Sequence, residues 1–170
     1  ADHLHIRKTR MVNFNAAIKA NGYGPQNDRR FADDVVIEDS FLYNTEPRNT
    51  RNPVTAIDVV GGKNWVLRNN VIADYALLQG DQVSYHAFLK GNSSHGVMER
   101  NLVLCEWRHH GGIRIGLSFG GGGTGGDYCD GGGCDQGHQG GTMRNNIIAN
   151  CPADIAIYVN KGADSRIYNN

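Results

Sequence analysis

One phrase recurs along this chain: "HIRKTRMVN" from His5, "VIEDSFLYN" from Val36, "VLRNNVIAD" from Val66, "VMERNLVLC" from Val97, "TMRNNIIAN" from Thr142 and "RIYNN" from Arg166. Its fifth position reads Thr9, Ser40, Asn70, Asn101, Asn146 and Asn170. From the second copy to the fifth, the next two residues are apolar: Phe41-Leu42, Val71-Ile72, Leu102-Val103 and Ile147-Ile148. The intervals between fifth positions are 31, 30, 31, 45 and 24 residues. Removing the 23 residues 119–141 from the long interval leaves 22, near the shortest, so that stretch reads as an insertion between regular turns. A period of this size with variable loops marks a solenoid, in which each repeat stacks only on its neighbours.

The first five copies are each followed by a second short segment: "AIKAN" from Ala17, "AIDVV" from Ala56, "AFLKG" from Ala87, "GIRIG" from Gly112 and "AIYVN" from Ala156. Ile57 to Asn70, Phe88 to Asn101 and Ile157 to Asn170 are each thirteen residues, so register is expected to hold there. Glycine is abundant at 23 residues, and runs of Ala, Leu, Glu and Lys are missing, which disfavours helices. Short strands in a repeat without a helix predict an all-β fold: a right-handed parallel β-helix solenoid of about five to six coils. The Gly-rich loop is inserted into a single domain spanning residues 1–170. The fifth-position column becomes an inward polar ladder, each amide donating to the carbonyl of the next rung. An antiparallel sandwich leaves the recurring R-N-N phrase unexplained.

Seventeen basic residues balance seventeen acidic ones, which argues against a nucleic-acid or membrane-surface partner. No apolar run reaches the ~18 residues of a membrane-spanning helix and no signal peptide opens the chain, so a mature or excised soluble segment is expected. Four cysteines fit disulfides of an oxidising compartment or buried thiols.

The segments "VLRNNVIAD", "TMRNNIIAN" and "AIYVNKGADSRIYNN" resemble the coils of right-handed β-helix proteins of the pectate-lyase-like class. That resemblance covers nearly the whole chain and is specific to the fold, which does not itself give function. It implies a secreted, periplasmic or extracellular protein that cleaves or binds polysaccharide. "FLKGNSSHGVMERNLV" from Phe88, followed one coil on by "IRIG", is similar in layout to the chondroitinase-B-like and alginate lyases. In those enzymes a lysine in a K-S-x-x-N phrase and an arginine on the following coil flank the scissile bond; Lys90 and Arg114 take those places here. Lys90 is followed by Gly91 instead of serine, and no acidic cluster nearby matches the calcium site of those lyases.

Loops 44–54, 74–86 and 106–111 all leave after the first strand of consecutive coils and are expected to form a wall beside the second strands. They carry Arg48, Arg51, Asp81, Tyr85, His86, Trp107, Arg108, His109 and His110. Beside them the equal spacings place an outward column of Lys19, Asp58, Leu89, Arg114 and Tyr158. Cations and aromatics along a groove suit an anionic polysaccharide, because Arg pairs with uronate carboxylates and rings stack on sugar faces. A lyase must neutralise the carboxylate and remove the proton on the adjacent carbon. Arg114 is the expected neutraliser and Lys90 the expected base, with His86 or Tyr85 as rivals. The structural alternatives are a snorkelling strand-end lysine at Lys90 and a solvated charge at Arg114. His109 and His110 point to opposite sides of an extended segment, so sugar contact suits them better than a shared metal.

The glycine stretch lacks the Lys-Ser/Thr and the following helix of a phosphate-binding loop. "GGTGGDYCD" from Gly122 matches one copy of a calcium-binding nonapeptide that works in tandem copies. No cofactor is certain; calcium held by Asp127, Asp130 and Asp135 is the candidate. Cys129 and Cys134 bracket a tight turn and are expected to form a disulfide. A four-cysteine zinc site would need Cys105 and Cys151 as well, but their places after Asn101 and Asn146 set them nearer each other than the loop. The chain stops at "RIYNN" in mid-strand, which predicts either a longer β-helix or identical copies stacking end to end. The leading functional expectation is a lyase or binder of an acidic polysaccharide, and the alternative is a structural, filament-forming β-helix.

Overall fold

The computed structural model describes residues 2–153 and 155–170. Nearly all regular structure is strand, and every sheet is parallel. The only helical pieces among the described residues are three 3-10 turns, Gln26–Asp28, Gly126–Tyr128 and Asp130–Gly132.

Successive passes of the chain lay one strand onto each of three main sheets. The first sheet stacks His5–Arg7, Val36–Glu38, Val66–Arg68, Val97–Glu99, Thr142–Arg144 and Arg166–Tyr168 in chain order. The second stacks Arg10–Val12, Phe41–Tyr43, Val71–Ala73, Leu102–Leu104 and Ile147–Ala149. The third holds Ala16–Ala20, Val54–Val60, Val83–Lys90, Ile113–Gly120 and Ile157–Asn160, and a small fourth sheet joins Ser93–Ser94, His138–Gln139 and Gly162–Ala163. This is the arrangement a parallel β-helix solenoid produces.

The corner between the first and second sheets repeats in every pass. Lys8, Asp39, Asn69, Arg100, Asn145 and Asn169 all take positive φ, between 51° and 57°. One left-handed residue turns the strand sharply, and Asn and Asp tolerate that conformation better than most side chains. The next residue is the ladder. Asn70 N–H donates to Asn101 Oδ1 at 3.1 Å, and Asn101 N–H to Asn146 Oδ1 at 3.0 Å. The amides reach the other way as well, Asn101 Nδ2 to Leu67 O and Asn146 Nδ2 to Met98 O, each at 2.9 Å. Their side-chain nitrogens also donate along the column, so these buried amides satisfy one another.

Inside, like stacks on like: Ile37, Leu67, Met98 and Met143 follow one another on the first sheet, and Leu42, Ile72 and Val103 on the second. All seven are fully buried, each worth about 1.5–3 kcal/mol of transfer free energy. Outside the first sheet the signs alternate from strand to strand. Glu38 accepts from Arg68 at 2.6 Å and Glu99 from Arg144 at 2.8 Å, and a one-strand slip would set like charges together.

On the third sheet the register differs from the sequence expectation. Phe88, not Leu89, pairs with Asp58, while Leu89 pairs with Val59 and is fully buried. The following turn absorbs the difference: Lys63 bridges to Ser94, so the third pass carries one more residue there than the second. In the fourth pass "GIRIG" is only the start of an eight-residue strand. The slot aligned with Asp58 and Phe88 belongs to Ser118, within "GLSFG". Phe119, expected to open the insertion, is a buried strand residue in line with Leu89.

Two disulfides close the structure, Cys105–Cys151 between neighbouring passes and Cys129–Cys134 within the glycine-rich segment. Such bonds persist in an extracellular or otherwise oxidising compartment. No helix among the described residues is long and apolar enough to cross a membrane.

Candidate functional site

The outer face of the third sheet carries a cleft of about 430 Å³. Its floor is Asp58, Phe88 and Lys90, one wall comes from residues 51–53 and 77–83, and the backbone of Gly122 and Gly123 forms the other. Lys19 stands at its edge, where its Nζ donates to Asp58 Oδ2 at 2.9 Å.

Strand alternation turns Asp58 and Phe88 outward on adjacent strands, and Lys90 follows two residues on. Lys90 Nζ lies 3.9 Å from Asp58 Oδ1 and 4.1 Å from the centre of the Phe88 ring. Only 7% of Lys90 is exposed, and burial pushes its ammonium pKa down, against the opposing pull of the Asp58 carboxylate. Asp58 Oδ1 is itself buried without a hydrogen-bond partner. Tyr85 packs edge-on against Phe88 with ring centres 4.7 Å apart, and its hydroxyl accepts from Gly122 N–H at 3.2 Å. Arg51 and Asp81 join Lys19, Asp58 and Lys90 as the ionisable groups that line the cleft. Asp81 is committed locally, with Oδ1 accepting from Val83 N–H at 3.0 Å. The cleft therefore sets one amine of lowered basicity beside two further cationic side chains, Lys19 and Arg51, that can meet an anionic ligand.

Lys90, Tyr85 and Arg51 thus come together as expected of neighbours along one groove. Arg114 does not join them. Expected to point outward, it is 1% exposed and lies beneath the 106–111 loop. Its Nε donates to Gly111 O at 2.8 Å and Nη1 to Cys105 O at 2.5 Å, with Asp74 Oδ1 3.7 Å from Nη1. Nη2 meets His109 Nδ1 at 3.1 Å, and burial lowers the pKa of His109, which favours the neutral ring able to accept that bond. A guanidinium with those partners organises a loop and is not available to a ligand.

His86, the rival base, is also enclosed. It sits where strand pairing skips between Tyr85 and Ala87, with Nδ1 3.0 Å from Ile115 O. Its ring lies against Cys105 Sγ at 3.8 Å, and burial drives its pKa down to about 4. A buried neutral ring here is a packing group and not the base of the cleft.

The remaining candidates are dispersed. Trp107 packs on Phe41 and Tyr43 of the second sheet, and Arg108 covers the rings of Trp107 and Tyr43 at 4.3 and 5.0 Å. Arg48 donates to Asn15 Oδ1 at 3.0 Å. His110 faces solvent and pairs with Glu106 at 2.8 Å, while His109 turns inward, so the two histidines do point apart. Tyr158 stays in the outward column opposite Ser118 but receives a bond from Asn160 Nδ2 at 3.1 Å.

Two of the three aspartates expected to hold calcium, Asp127, Asp130 and Asp135, are drawn to other partners. Asp127 accepts from Gln26 at 3.0 Å and Asp130 pairs with Lys63 at 3.1 Å. Among the described residues no three His, Cys, Asp or Glu side chains gather as a metal site would require.

Sequence reasoning undervalued Lys19 and Asp58, which it placed in the outward column without a role, and it missed Phe88. "GIRIG" and "GLSFG" share the small-apolar-polar order of "AIDVV" and "AIYVN", so that order did not separate them.

Parallel sheets stacked in register, with a cleft on one outer face, define the class that this molecule represents: a parallel β-helix-like solenoid. Comparison with known proteins found no matching family model, no matching curated protein and no matching solved structure.

Proposed function

We propose that the protein is a secreted right-handed β-helix of the pectate-lyase-like kind that binds an anionic polysaccharide in this cleft and cleaves it by β-elimination. The observation that carries the reading is Lys90: an amine of lowered basicity, almost buried, on the floor of a cleft that also holds Lys19 and Arg51.

Lys19 and Arg51 take the neutralising role first given to Arg114. Their charges meet a uronate carboxylate and stabilise the negative charge that develops when the adjacent C–H bond breaks. Lys90, whose ammonium burial disfavours, accepts that proton in its unprotonated form. The released electron pair forms the C4–C5 double bond, the C4–O glycosidic bond breaks, and the leaving oxygen takes a proton, for which the Tyr85 hydroxyl lies on the same cleft.

The product has an unsaturated uronate that absorbs in the ultraviolet. Incubation with pectate, alginate and glycosaminoglycans tests the reading: rising absorbance with one class is the expected result. Flat traces with every polymer, together with no binding in titration calorimetry, would refute it.

A further inference from the structure

The outward column of the third sheet runs Lys19, Asp58, Phe88, Ser118 and Tyr158. Its first three members open into the cleft. Ser118, one strand further, is fully buried, and its Oγ donates to Gly120 O at 2.7 Å. The cover is backbone. Gly120, Gly121 and Gly122 have φ of 79°, 82° and 63°, a run that favours glycine at every step.

A Cβ placed on Gly121 would lie 2.8 Å from the Tyr158 ring and 3.4 Å from Ser118 Oγ. One on Gly120 would collide with the Asn160 carbonyl. The glycine turn therefore rests directly on the fourth and fifth strands of the sheet, and Gly122 N–H reaches back to Tyr85 on the third. Among the described residues the cleft takes no lining from Ile113–Gly120 or Ile157–Asn160. Beyond the turn lies a separate cavity, of about 200 Å³, which shares only Lys90, Gly122 and Gly123 with the cleft.

The geometry points to a site that takes the end of a polysaccharide chain and not an internal stretch of it. This rests on the reading of the cleft as a glycan site. A chain bound through its interior must leave a site in two directions. Strands are about 4.8 Å apart, so the glycine turn stands across the column one short step past Phe88. Along the strands residues 77–83 close one side of the cleft, and Gly122–Gly123 bound it toward the glycine turn. The open direction runs onward along the strands, where a further opening lined by Asn21, Val60 and Tyr128 continues from Lys19, Asp58 and Lys90. A terminal uronate lies against Lys90 while the rest of the chain leaves over Lys19, and elimination there shortens the polymer from its end.

Titration calorimetry with oligouronates of increasing, defined length tests this. One protein per chain at every length is the expected result, with affinity per chain constant within about twofold once the cleft is filled. A protein-to-chain ratio that grows with length would overturn the chain-end inference and leave the glycan reading standing. Failure to bind any oligouronate would remove the glycan reading and the inference together. A second variant fixes the location: a Cβ at Gly123 meets nothing within 4 Å, so Gly123→Trp fills the cleft without strain. At least tenfold weaker binding with an unchanged melting temperature is expected, and unchanged affinity would place the ligand elsewhere and overturn the inference.

Discussion

Lys90 and Asp58 face one another from adjacent parallel strands, Nζ 3.9 Å from Oδ1, with Lys19 holding the second carboxylate oxygen at 2.9 Å. The carboxylate favours the Lys90 ammonium, while burial disfavours it by more. Asp58→Asn removes the carboxylate's pull toward the charged form, so the Lys90 pKa falls further. If Lys90 is the base, the acid limb of the kcat/KM profile moves to lower pH in Asp58→Asn, while Lys90→Met loses about 10²–10⁴-fold in rate with the fold intact. An unmoved acid limb in Asp58→Asn would separate Lys90 from the chemistry.

Arg114→Ala is expected to act on stability. It leaves Asp74, fully buried, without its cationic neighbour and strips the 106–111 loop of two contacts and Cys105 O of a third. Breaking a buried pair on one side costs about 3–5 kcal/mol. Denaturant melts of the variant check this, and undiminished stability would contradict the buried placement.

Acid stability depends on His86 and His138, both lowered from 6.5 to about 4 by burial. A base whose folded pKa lies below its unfolded one binds fewer protons folded than unfolded. Stability is therefore lost as pH falls from about 6.5 to about 4, by roughly 3 kcal/mol for each ring. His86→Gln removes one of these contributions, so its unfolding free energy changes less between pH 7 and pH 4 than that of the wild type. Equal pH dependence in the two proteins would mean that His86 is not buried as a neutral ring.

The ladder makes a sharper demand than ordinary core packing. Asn101→Ala deprives Asn70 N–H of its acceptor and Leu67 O of its side-chain donor, in a column with no access to solvent. Each buried polar group so orphaned costs about 1–3 kcal/mol, and a loss of about 3 kcal/mol or more is expected in chemical denaturation.

The disulfides differ in what they restrain. Cys105–Cys151 spans 46 residues and Cys129–Cys134 only 5. By loop-closure entropy the first contributes about 4 kcal/mol and the second about 2. Paired serine substitutions, compared by melting, are expected to rank in that order.

The repeat determined a great deal by itself. A polar residue every 24 to 31 positions, followed by two apolar ones, is enough to fix parallel stacking outside the one long interval. A column of amides can satisfy itself only when identical positions lie one above another. The spacing of Cys105 and Cys151 after ladder residues placed them near each other, and the tight turn around Cys129 and Cys134 called for a clasp. The third sheet was not legible in the same way. Its strands vary from four to eight residues, and equal residue counts concealed a turn with one residue more, so Leu89 and Phe88 exchange faces. Burial of Leu89 and Phe119 decided that register, because a slip of one residue would carry every apolar side chain of the strand to the opposite face. The same packing drew Arg114 and His86 inside and left Lys90, Asp58 and Lys19 around one cleft. Those placements depend on which strands neighbour each other and which loops fold over them, and only the tertiary structure decides that.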